Sequence, residues 1–206
     1  TYNVPAGLEF DPAGDKDSKN FSLTGGWNSD CSARTINASA TVLNAENGAT
    51  DGDFRFFGNN THYVIEGIRF SNFNDFVVDD ANCNLDCPDT QLIRIRYNEM
   101  RNGTDVTIRG KDAATLTVSN NLFADLNPGS GTAVGISYVN NESAPTIAFN
   151  TVARVFCSSG AGEALYVFTQ RSGVTLHHNI VQSVGCGGDI TVPLGSGSQA
   201  VALRHN

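Results

Sequence analysis

The stretch Ile95-Arg96-Tyr97-Asn98-Glu99-Met100 decides the fold, because its pattern returns four more times along the chain. The returns are Val118-Ser119-Asn120-Asn121-Leu122-Phe123, Ile147-Ala148-Phe149-Asn150-Thr151-Val152, Leu176-His177-His178-Asn179-Ile180-Val181 and the shorter Leu203-Arg204-His205-Asn206. Each reads apolar, two variable residues, Asn, variable, apolar. Ile65-Glu66-Gly67-Ile68-Arg69-Phe70 fits as well, with Ile68 in the Asn position. The Asn positions are 23, 29, 29 and 27 residues apart, and Ile68 precedes Asn98 by 30. A period of this size marks a stack of one repeated structural unit.

The pattern has a physical reading. Alternation in Leu116-Thr117-Val118 and Val174-Thr175-Leu176 puts apolar side chains on one side of a short strand. Between two such strands the chain must bend, and an Asn there tolerates left-handed backbone while its amide hydrogen-bonds buried backbone groups. Repeated on every turn of the stack, Asn98, Asn121, Asn150, Asn179 and Asn206 are expected to form a ladder with rungs ~4.8 Å apart. The register has an independent check in the outward positions, where Glu66 falls beside Arg96 and Arg69 beside Glu99. Cys157 and Cys186 each lie seven residues after their Asn, so they are expected as neighbours joined by a disulfide. Cys83 and Cys87 are expected to form a local bridge, leaving Cys31 as the single thiol.

Composition agrees. The chain has 206 residues, of which only 17% are charged and 21 are Gly, with a net charge of -8. Such a mixture favours turns and strands over helices. The acidic balance argues against a nucleic-acid partner, which needs clustered positive charge. No apolar run reaches the ~20 residues that would span a bilayer, so no membrane insertion is expected. Five cysteines without a CxxC pair suit disulfides in an oxidising compartment better than a zinc site, and no metal site is assigned. No composition break divides the chain, so residues 1–206 are expected as one domain, with 1–60 less regular and 61–206 regular. Phe21 to Trp27, Thr41-Val42-Leu43 and Phe54 to Phe57 read as strands of the opening part.

These repeats resemble the right-handed parallel β-helix superfamily, the fold of pectate lyases, polygalacturonases and many bacterial surface proteins. The segment Gly25-Gly26-Trp27-Asn28-Ser29-Asp30-Cys31, followed by Thr41-Val42-Leu43, is similar to the opening turns of exported β-helix repeat proteins of unassigned function. The resemblance implies an all-β, single-stranded right-handed solenoid located outside the cell, in the periplasm or on its surface. It is specific for fold and unspecific for activity. The last turn carries no cap, so end-to-end homodimerisation is expected.

A pectate-lyase-like site would need carboxylates converging on calcium beside a basic residue; Asp75, Asp79, Asp80, Asp86 and Asp89 with Arg94, Arg96 or Arg101 are the candidates. A polygalacturonase-like site needs two carboxylates flanking a glycosidic bond, for which Asp79 and Asp80 are the adjacent pair. From these the catalytic candidates are Asp79, Asp80 and Arg96. His178 and His205 share a column beside His177, an imidazole cluster read as surface rather than as a metal site. Asp11, Asp15 and Asp17, and Asp51 with Asp53, lack calcium-loop spacing and read as polar turns. The leading expectation is a non-catalytic structural or adhesive segment with a carbohydrate-facing side and no cofactor. The alternative is a lyase or hydrolase of acidic polysaccharide.

Overall fold

The computed structural model describes residues 1–4, 8–10, 19–45, 52–57, 61–79, 92–110, 115–138, 145–158, 162–169, 174–193 and 202–204. They form three parallel seven-stranded sheets and no α-helix, the one helical turn being the 3-10 segment Ala38–Ala40. The chain visits the sheets in rotation, so hydrogen-bonded neighbours within a sheet are always three strands apart in sequence. One round of three strands is here called a circuit, and the arrangement is that of a parallel β-helix or solenoid.

The first sheet contains Tyr2–Asn3, Val42–Asn44, Arg69–Ser71, Glu99–Arg101, Leu122–Ala124, Thr151–Phe156 and Ile180–Val184. The second contains Leu8–Phe10, Phe54–Phe57, Asp75–Asp79, Asp105–Gly110, Thr132–Tyr138, Glu163–Thr169 and Gly188–Thr191. The third contains Lys19–Thr24, Thr61–Glu66, Leu92–Arg96, Thr115–Ser119, Thr146–Ala148, Thr175–His177 and Ala202–Arg204. The opening strands expected around Phe21, Val42 and Phe54 are among them. Pairing is in register, as in Val118 beside Ile95 and Ile147 beside Leu176.

Inward side chains build one continuous core whose character changes along the stack. Phe54, Phe56, Phe70 and Phe76 fill the early circuits in tilted and edge-to-face contacts, with ring centroids 4.9–5.7 Å apart. Ile93, Ile95, Val106, Ile108, Val118, Ile136 and Leu176 fill the later ones. The outward charge pairs are present: Arg69 Nε lies 2.8 Å from Glu99 Oε2, and Arg96 pairs with the buried Glu66, which also meets Arg34 Nη1 at 3.2 Å. Cys157 and Cys186 are disulfide-bonded, with Cα atoms 4.9 Å apart, and Cys31 is an exposed free thiol. Cys83, Cys87 and Asn206 lie outside the described residues.

Asn98, Asn121, Asn150 and Asn179 are buried and hydrogen-bonded in series. The Nδ2 group of each donates to a carbonyl of the preceding circuit: Ile65, Ile95, Val118 and Ile147 respectively, at 2.8–3.0 Å. Each Oδ1 accepts the backbone N–H of the equivalent residue one circuit earlier, beginning with Ile68 N–H to Asn98 Oδ1 at 3.1 Å. The left-handed backbone expected at the Asn sits instead on the residue before it. Tyr97, Asn120, Phe149 and His178 have φ of 57, 56, 56 and 55°, and Gly67 takes the same place with φ of 70°. The ladder Asn is thereby free to point inward, while the left-handed residue turns its side chain out.

Candidate functional site

That turn makes a column of outward side chains at the corner between the third and first sheets. A non-glycine residue costs about 1–2 kcal/mol in the left-handed conformation, a cost the Asn bonds beside it offset. In chain order the column reads Tyr97, Asn120, Phe149, His178, so ring-bearing residues occupy three of four places. Tyr97 is 39% exposed and Phe149 51%. Beside them lies an open, shallow groove of about 410 Å³ lined by Tyr97, Phe149, Asn120, Glu99, Leu122 and Thr151. Two circuits separate the rings, which at the spacing of neighbouring strands is ~9.6 Å.

The groove combines apolar walls with polar groups of fixed protonation. Burial pushes the Glu99 carboxyl up, but hydrogen bonds from Arg69 and Arg101 outweigh it and hold the group below the ordinary carboxylate range. Asn120 offers an amide donor and acceptor, and Thr151 a hydroxyl. One face of Phe149 is covered by the His178 ring, stacked at 4.8 Å and 12°. Such a site can hold an uncharged, hydroxyl-rich ring against an aromatic wall.

The sequence reading missed this groove because it treated the position before each Asn as variable. The signal was present in Tyr97, Phe149 and His178, three rings at one repeat position.

A second cluster lies on the outward face of the second sheet. Asp75 and Asp105 are register partners on adjacent strands, and Asp53, one circuit earlier, accepts the Asp75 backbone N–H at 3.1 Å. Arg55 pairs with Asp53 and lies 3.7 Å from Asp75. Burial, then the charge of Asp75, a hydrogen bond with it and the charge of Asp53, push the Asp105 carboxyl up to about 6; Asp75 is raised too, first by burial. Of this cluster Asp75 alone was among the carboxylates considered for calcium, and Asp53 was read as a polar turn.

Among the described residues, the sequence candidates Asp79, Arg96 and Arg101 lie on three different sheets. Asp79 is on the second sheet, 3.1 Å from Arg109, its register partner. Arg96 is on the third sheet and engaged by Glu66, Arg94 shares its strand, and Arg101 is on the first sheet between Glu99 and Asp125. Asp11, Asp15, Asp17, Asp51, Asp80, Asp86, Asp89 and His205 lie outside the described residues. Among the described residues, no group of three or more His, Cys, Asp or Glu side chains is arranged to hold a metal ion, and no helix is long and apolar enough to cross a membrane.

Comparison with family models, curated proteins and solved structures gives no match. The reading of function therefore rests on the geometry alone.

Proposed function

We propose that the chain is a segment of a right-handed parallel β-helix from an exported or surface-displayed bacterial-type protein, that it acts without catalysis as a rigid binding scaffold, and that the groove beside Tyr97 and Phe149 takes carbohydrate. Right-handed winding is favoured by the strong chirality of connections between parallel strands, and the Cys157–Cys186 disulfide suits an oxidising compartment. The observation that carries the binding reading is the pair of exposed rings two circuits apart with Asn120 between them.

The test is titration of neutral and acidic oligosaccharides into the ¹⁵N-labelled chain, with Tyr97→Asn and Phe149→Asn as variants, since Asn keeps the left-handed turn. Saturable shifts around the groove that weaken at least tenfold in both variants are expected. Absence of shifts throughout the panel, or binding indifferent to both variants, would overturn the reading.

A second reading, hydrolysis of polysaccharide, is favoured by one observation: Asp105, raised to about 6, beside Asp75 on an outward face. Release of reducing ends that is abolished by Asp105→Asn would select it over the scaffold.

A further inference from the structure

Neighbouring residues on a strand point to opposite sides, so two adjacent histidines do not ordinarily converge. His177 and His178 do. His177 ends the strand Thr175–His177, and His178 takes the left-handed turn with φ of 55°. That turn swings the second ring back until the two Nδ1 atoms are 2.9 Å apart. Both rings are held from the preceding circuit by Phe149, which stacks on His178 at 4.8 Å and meets His177 edge-on at 5.1 Å. The histidine rings themselves stand at 86°.

We propose that His177 and His178 form a two-nitrogen chelate for a divalent transition metal of tetragonal geometry, Cu(II) first and Ni(II) second. A metal–imidazole bond of ~2.0–2.1 Å closes on two nitrogens ~2.9 Å apart at a right angle and ~3.3 Å apart at the tetrahedral angle. The 2.9 Å contact brings the two nitrogens within reach of one metal ion, and for a site of imidazole donors the order of affinities among divalent metals puts Cu(II) first. Both rings bind a metal through Nδ1 as Nε2–H tautomers, a proton carried on either Nδ1 moving to the Nε2 of the same ring so that both Nδ1 lone pairs go to the metal. Water fills the remaining positions, for which the exposed His178 leaves access. Arg204 is the register partner of His177 on the following strand, and Ala148 on the preceding one. The site is independent of the carbohydrate reading, although Phe149 serves both.

The experiment is titration of the purified chain with Cu(II) in a glycine-competed buffer, followed by visible absorption and electron paramagnetic resonance. The expected result is one Cu(II) per chain with nitrogen hyperfine structure from two imidazoles, Ni(II) weaker and Zn(II) weaker still. His178→Asn keeps the turn and is expected to lower affinity at least tenfold, as is His177→Gln, which reads the same ligand set if the first variant loses its circular dichroism. Phe149→Asn, with both ligands retained, is expected to weaken binding several-fold, because the rings lose their support. Affinity unchanged in both histidine variants would place the copper elsewhere, on His62, His205 or the terminal amine, and would overturn the proposal. Zn(II) bound as tightly as Cu(II) would overturn the preference for Cu(II).

Discussion

Asn121 Nδ2 donates both to the Ile95 carbonyl at 2.9 Å and to Asn150 Oδ1 at 3.0 Å, while Asn121 Oδ1 accepts the Asn98 backbone N–H at 3.1 Å. One amide thus satisfies a buried carbonyl of the circuit before the previous turn and a buried N–H of that turn itself. Asn121→Ala strands both, each at about 1–3 kcal/mol. The expected loss is about 3 kcal/mol or more in urea unfolding at neutral pH. A loss under about 1 kcal/mol would show that the ladder decorates the core rather than holding it.

The Cys157–Cys186 bridge closes 29 residues, one full circuit. Constraint of the unfolded chain by a loop of that size is worth roughly 3–4 kcal/mol. Cys157→Ala with Cys186→Ala is expected to lower the urea midpoint accordingly, and reductant is expected to lower the parent at least to the same value; a parent midpoint that reductant leaves in place would count against the bridge. A reductant effect on the double variant would point to a second bridge.

Asp105 and Asp75 give stability a pH dependence of definite sign. The folded Asp105 carboxyl is raised from 3.8 to about 6, so its contribution is complete below pH 3.8 and is lost as pH rises through about 6. Glu99 and Asp125 are lowered and act oppositely, losing their contribution on acidification. Asp105→Asn removes the first effect. Because water screens a half-exposed carboxyl, the gain expected at pH 7 is on the order of 1 kcal/mol, vanishing by about pH 4. Parallel melting curves of the two proteins from pH 4 to 7 would contradict the burial argument.

Gly103 lies under the Phe73 ring, where an added Cβ would be 2.2 Å from Cε2. Gly103→Ala must displace that ring and is expected to cost about 1–3 kcal/mol. Phe73→Leu loses ring contacts in the core, but combined with Gly103→Ala it should cost less than the two changes added together. Strict additivity in thermal or urea unfolding would mean that the two sites do not share the space.

The legibility of the chain varied with the range of the interaction concerned. Strand positions, the ion pairs of Glu66 with Arg96 and Arg69 with Glu99, and the neighbouring Cys157 and Cys186 could be read because an in-register parallel stack turns sequence period into contact. The Asp53, Asp75 and Asp105 column escaped notice because its spacing follows unequal circuits, which no single period aligns. The left-handed turn was assigned one residue late, since Asn tolerates that conformation and Tyr97 and Phe149 ordinarily avoid it.

The sequence by itself determined the period, the alternation of inward and outward residues and the identity of the ladder, because these follow from local chain geometry repeated. Only the tertiary structure decided which way each corner residue faces. The buried Asn is needed inside to satisfy backbone groups from two circuits. That requirement forces its predecessor outward at positive φ, and so creates both the exposed Tyr97–Phe149 groove and the convergence of His177 with His178.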